Sequence, residues 1–273
     1  MATHDQDRLA GYIDVWWSAV NDFTALLEEI TPEQWDLPTD LPGWDVRAVA
    51  SHVAHLEGIL AGGPEETADV GEPPHVTGFL GLYTEIGVVN RREAAPDAII
   101  NEIREAATTR HTMLLADPPT DASARPEVIF GGVPWTWEVL LRNRPLYVWM
   151  HEQDVRRAVG LPGGLDTAPA RHTAEYLAES LGFVLGKKVG AAPETSLVLD
   201  LAGSEPFAFV VNDTGRGERL PEPPADPTVT LRMDRGTFVV LAGGRCPVDP
   251  DAVVVEGDQA LGRQVVDAMA TTP

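Results

Sequence analysis

At 273 residues the chain exceeds the usual size of one compact core, and 44% hydrophobic residues supply apolar surface for two. A formal net charge of −22 repels phosphate backbones and anionic headgroups, which excludes nucleic-acid and peripheral membrane binding as expected roles. The single cysteine, Cys246, excludes an intramolecular disulfide and any thiolate-based zinc cluster, so a metal here needs His, Asp or Glu.

Apolar residues at Leu9, Ile13, Trp16, Trp17, Val20, Phe23, Leu26 and Leu27 predict a first long helix from Gln6 to Glu29. The Pro- and Gly-punctuated stretch TPEQWDLPTDLPGWDV follows as an irregular connector, with Asp45 as the N-cap of a second helix over about Val46 to Leu60. A third helical region is expected over Phe79 to Leu115 with an interruption near Pro96, and a fourth over Trp135 to Val159. Pro145 lacks an amide donor and crowds the preceding turn, so the fourth helix is expected to kink or to restart at Leu146. A fifth helix at about Pro169 to Lys187 completes an antiparallel bundle.

After Val189 the texture changes. SLVLDL, PFAFVV, TVTLRM and AVVVEG are short β-branched and aromatic runs between Gly, Pro and Asp clusters, and read as strands. Helices are expected at about Asp234 to Leu241 and Gln259 to Ala270. Strands and helices without strict alternation give an α+β domain, and the domain boundary is expected near Ala191 to Pro193, with domains 1–190 and 194–273.

His52 and His55 lie three apart on the second helix, and Tyr147, His151 and Asp154 share a face of the fourth. If those helices are neighbours, a His/His/carboxylate cluster forms between them, a pattern by which bundles hold metals with open coordination positions. His75 and His111 have no obvious partners and read as exposed, and the tryptophans read mostly as core, with Trp44 and Trp149 close enough in sequence to the histidines to line a pocket. Cys246, in the turn-like GGRCPVDPD, reads as an incidental small residue. The N-terminus has no basic segment followed by an apolar core, and no apolar run approaches membrane-spanning length, so a cytoplasmic address is expected.

The segment LPGWDVRAVASHVAHLEG resembles the tryptophan-led second-helix signature of the mycothiol-dependent maleylpyruvate isomerase family, and RNRPLYVWMHEQDVRRAVG resembles its second signature. LAGGRCPVDPDAVVVEGDQALGRQVVDAMATTP is similar to the family's C-terminal domain. The resemblance implies a DinB-like antiparallel helical bundle followed by a small α+β, sterol-carrier-like domain. It implies His52 and His151 as ligands of a divalent metal, zinc foremost, and Arg245 as a catalytic residue facing the site, suited to a substrate carboxylate or enolate. Further implications are mycothiol as thiol cosubstrate, an electrophilic small-molecule substrate, an actinobacterial source, isomerase or S-transferase chemistry, and a monomer or homodimer.

One ligand departs from the family pattern. Where the family has Glu or Asp, this chain has Tyr147, a phenol that binds a divalent ion only after losing its proton. Asp154 or His55 as a replacement ligand, or a tyrosinate at Tyr147, are the open repairs; Glu152 points about 100 degrees away. Asp154 pairing only with Arg156 or Arg157 is the plainer alternative. The competing functional class is a metal-free binding or interaction protein of the same fold, and a C-terminal domain that binds an apolar ligand is a third.

Overall fold

The structure, a computed structural model, describes residues 2–272, with side chains from His4 onward; positions 1 and 273 of the expected domains lie outside this range. The chain divides into two compact units, Met1–Ala170 and Arg171–Pro273. The change of texture at 191–193 therefore marks where strands begin, whereas the second unit already includes the helical segment before them.

The first unit is a helical bundle of α1 (Ala2–Glu29), α2 (Val46–Leu60), α3 (Gly78–Arg91), α4 (Pro96–Ala116) and α5 (Trp137–Val159). α1 packs on α4 and α5, and α2 packs on α3, α4 and α5. The apolar stripe of α1 carries Leu9, Ile13, Trp16, Val20, Phe23, Leu26 and Leu27 into the core, where Val49, Val53, Ile99, Ile103, Leu141, Val148 and Val155 meet it. Asp45 caps α2 by accepting from the Ala48 amide at 2.7 Å, Thr136 caps α5, and Gly160 ends α5 in the left-handed region that glycine adopts without steric cost.

Pro145 does not divide α5. The helix runs without interruption from Trp137 to Val159, because Leu140, Leu141, Leu146, Val148 and Trp149 on both sides of the proline are buried and hold it in place. The expected fifth helix is instead broken: α6 (Ala168–Ala178) is followed by a short α7 (Leu181–Phe183) and a π-helical turn at Val184–Lys188.

The second unit carries a five-stranded sheet in the order β3-β2-β1-β4-β5. Its strands are β1 (Ser196–Leu201), β2 (Phe207–Val211), β3 (Gly217–Leu220), β4 (Val229–Met233) and β5 (Val254–Gly257). β1 and β4 are parallel and the other pairs antiparallel, and β1, the central strand, is buried along most of its length. β3 is a short, polar edge strand with the sequence GERL, which carries no hydrophobic alternation to announce it. Asp234 and Asp258 cap α8 (Arg235–Ala242) and α9 (Gln259–Asp267). Among the described residues no helix is long and apolar enough to cross a membrane.

Candidate functional site

The connector before α2 is bent so that Trp44 lies over the face of that helix. Pro38 and Asp45 form an isolated bridge across the bend, and Gly43 has φ +80°, with the ring of His75 where a Cβ would sit. The Trp44 indole donates to Glu85 at 2.8 Å, and its ring centre is 4.8 Å from that of His52. His75 is also held by Glu85, at 3.3 Å, and His111 stacks on Trp17 at 4.3 Å; both histidines thus have partners, contrary to the expectation of plain exposure.

His52 on α2 meets Tyr147 and His151 on α5. The two imidazole centres are 5.2 Å apart and edge-on, with the Tyr147 ring 5.1 Å from His52 and 4.7 Å from His151. His52 and His151 are 4% and 6% exposed, so the cluster lies inside the bundle. Burial, reinforced by His151 and Arg144, pulls His52 well below the ordinary imidazole range and keeps it neutral. Burial likewise pushes the Tyr147 phenol up, and its hydroxyl is buried without a hydrogen-bond partner among the described residues.

Asp154 serves His151 from behind. One carboxylate oxygen faces His151 Nδ1 at 3.1 Å, and the other accepts from Arg157 Nη2 at 2.6 Å. A carboxylate paired with a guanidinium only accepts, so Nδ1 carries the hydrogen. Both Asp154 oxygens are thereby engaged, one by His151 and one by Arg157.

His55 does not join the cluster. Its ring lies 5.4 Å from that of Tyr83, and its β-carbon occupies the space where Gly87 would need its own, so it packs into the contact of α2 with α3. Trp149 also turns away: it is fully buried and donates to the Gly164 carbonyl at 3.1 Å. Glu152 pairs with Arg156 at 2.7 Å. In the second unit, Arg245 and Cys246 line a cavity of about 770 Å³ together with Val240, Val255, Arg263 and Val266.

The sequence reading missed a buried ion network behind the cluster. Glu57, fully buried, accepts from Arg144 Nε at 3.1 Å, from Arg110 at 3.5 Å and from the Trp16 indole at 3.3 Å. Burial alone would raise Glu57, but Arg144 and Arg110 outweigh it and hold it ionised; burial brings Arg110 down to about 10, still protonated at neutral pH. The Arg144 guanidinium carbon lies 3.9 Å from the centre of the Tyr147 ring. Glu57 and Arg144 lie five and three positions from His52 and Tyr147, but nothing in a sequence marks a charge as buried.

These donors do not fit a divalent metal. In place of an anionic donor the cluster presents the Tyr147 phenol, buried beside the Arg144 guanidinium, and among the described residues no group of three or more His, Cys, Asp or Glu converges on one point.

Comparison with known proteins decides the family. Residues 16–156 match the pattern described as the mycothiol maleylpyruvate isomerase N-terminal domain, and residues 171–264 match the MDMPI C-terminal domain. The chain belongs to the mycothiol maleylpyruvate isomerase family. The two matches span both compact units. In fold the chain is similar to a crystal structure of the mycothiol-dependent maleylpyruvate isomerase, with TM-score 0.57, 18% identity and coverage of 91% of this chain and 92% of that one. A crystal structure of a histidine-to-alanine variant of such an isomerase matches with TM-score 0.56 and 16% identity over 91% and 92% of the two chains. No curated protein matches significantly.

Proposed function

We propose that the chain is a thiol-dependent isomerase acting on a small electrophile with a conjugated double bond, with mycothiol as its cosubstrate. The observation that carries this reading is the meeting of His52, Tyr147 and His151 inside the bundle, with Asp154 fixing the tautomer of His151.

A thiol is a weak nucleophile until it loses its proton, and His151 Nε2 is the acceptor that Asp154 prepares. The proton moves from sulfur to Nε2, and Asp154 offsets the charge of the imidazolium. The thiolate adds to the conjugated double bond, the resulting single bond rotates, and the thiolate leaves again. An S-transferase would keep the adduct. Arg245, whose Nη1 donates to the Gly243 carbonyl at 2.9 Å, lines the cavity of its own unit with Cys246 and Arg263, and that cavity is the place proposed for its carboxylate-binding role. The donors present do not fit zinc, the ion that the resemblance implies. A cytoplasmic, monomeric or dimeric enzyme completes this reading.

The test is turnover of maleylpyruvate by the purified chain with and without mycothiol, followed by the change in ultraviolet absorbance. Activity is expected only with the thiol. His151→Ala is expected to lower kcat/KM by about 100-fold or more, and Asp154→Asn to lower kcat by about 10–100-fold with KM little changed. Undiminished turnover in His151→Ala, or none at all in the native chain with mycothiol, sinks the proposal.

A further inference from the structure

The groups that fit a cation poorly are the ones an anion needs. Tyr147 Oη, His52 Nδ1 and Arg144 Nη1 are buried and have no hydrogen-bond partner among the described residues. A phenol O–H and a guanidinium N–H are donors, so two of these three atoms lack an acceptor. Burying donors without acceptors is costly, and such donors are satisfied only when an acceptor arrives.

The charge balance points the same way. Glu57 faces both Arg144 and Arg110, so this buried network carries one positive charge more than it neutralises. Asp154 shares Arg157 with Asp40, and Glu85 accepts from the Trp44 indole and contacts His75. On the Arg144 side of Tyr147 a dication would add to the local positive surplus of the Glu57 network, whereas an anion would offset it.

We propose that the His52/Tyr147/His151 cluster is a metal-free anion site, in which the Tyr147 hydroxyl and the surplus charge of Arg144 hold the thiolate that other members would place on a cation. Resting on the cluster's assignment as the thiol site, this adds two residues to it: Tyr147 as hydrogen-bond donor to sulfur and Arg144 as its counter-charge. The Arg144 guanidinium carbon lies over the Tyr147 ring, so one helix carries both the charge and the phenol.

Three measurements on the full chain test the proposal. In equilibrium dialysis against zinc alone, the native chain is expected to retain far less than one equivalent, and Tyr147→Glu close to one. In the metal-free chain, added mycothiol is expected to show the ultraviolet thiolate band at neutral pH. In Tyr147→Phe, which keeps the ring on Arg144, the affinity read from that band is expected to fall about tenfold, as for loss of one charge-assisted hydrogen bond. Stoichiometric zinc in the native chain, a thiolate band that needs zinc, or an unchanged band in Tyr147→Phe overturns the proposal. A thiolate band without isomerisation would refute the proposed reaction and leave the anion site standing; isomerisation only with zinc would do the reverse.

Discussion

His55 is fully buried, and neither of its ring nitrogens has a hydrogen-bond partner among the described residues. Burial lowers its folded-state pKa, so below the ordinary value of about 6.5 the unfolded chain binds a proton that the folded chain resists. The stabilisation is present above that value and is lost as pH falls through it toward the folded value. Urea midpoints are therefore expected to drop between pH 7 and 5, by at most about 1.4 kcal/mol per pH unit for this group. His55→Leu is expected to flatten that dependence in part, with His52, also lowered, supplying the remainder. An identical slope in the variant would show that the proton goes elsewhere. Pairing of His52 with His151 was legible in the motif spacing; the departure of His55 was not, since a residue three along a helix sits about 60 degrees away and the packing of α3 decides which side it faces.

Between elements, Glu57 is the tie that joins four helices. It stands on α2 and binds Arg144 of α5, Arg110 of α4 and Trp16 of α1. Glu57→Gln would leave two buried guanidiniums with no counter-charge, and a loss of about 3–5 kcal/mol in urea unfolding is expected. A loss below about 1 kcal/mol would mean that the network relaxes to water. The start of α2 was readable from Asp45, because a side-chain cap is a local hydrogen bond, and Asp234 and Asp258 cap α8 and α9 in the same way. α5 was harder: Pro145 signals a break by local rules, and burial of the apolar residues on either side overrides it.

Across the whole chain, the net charge of −22 leaves most carboxylates without a basic partner, so folding concentrates like charges. Raising sodium chloride from about 10 mM to 0.5 M shrinks the screening length from about 30 Å to a few Å. A rise in Tm of several degrees is expected, and a fall would show that ion pairs such as Arg91 with Glu66 outweigh the repulsion. Composition, caps and periodicity by themselves determined the order of helices and the later strands, because those features depend on neighbours a few positions away, and the resemblance of two segments to a family's signatures brought His52 and His151 into play. Only the tertiary structure decided that Asp154 stands behind His151, that Arg144 lies against Tyr147, and that the polar strand Gly217–Leu220 completes the sheet. These depend on which faces meet and which charges lose their water, and both are properties of the packed chain rather than of any segment.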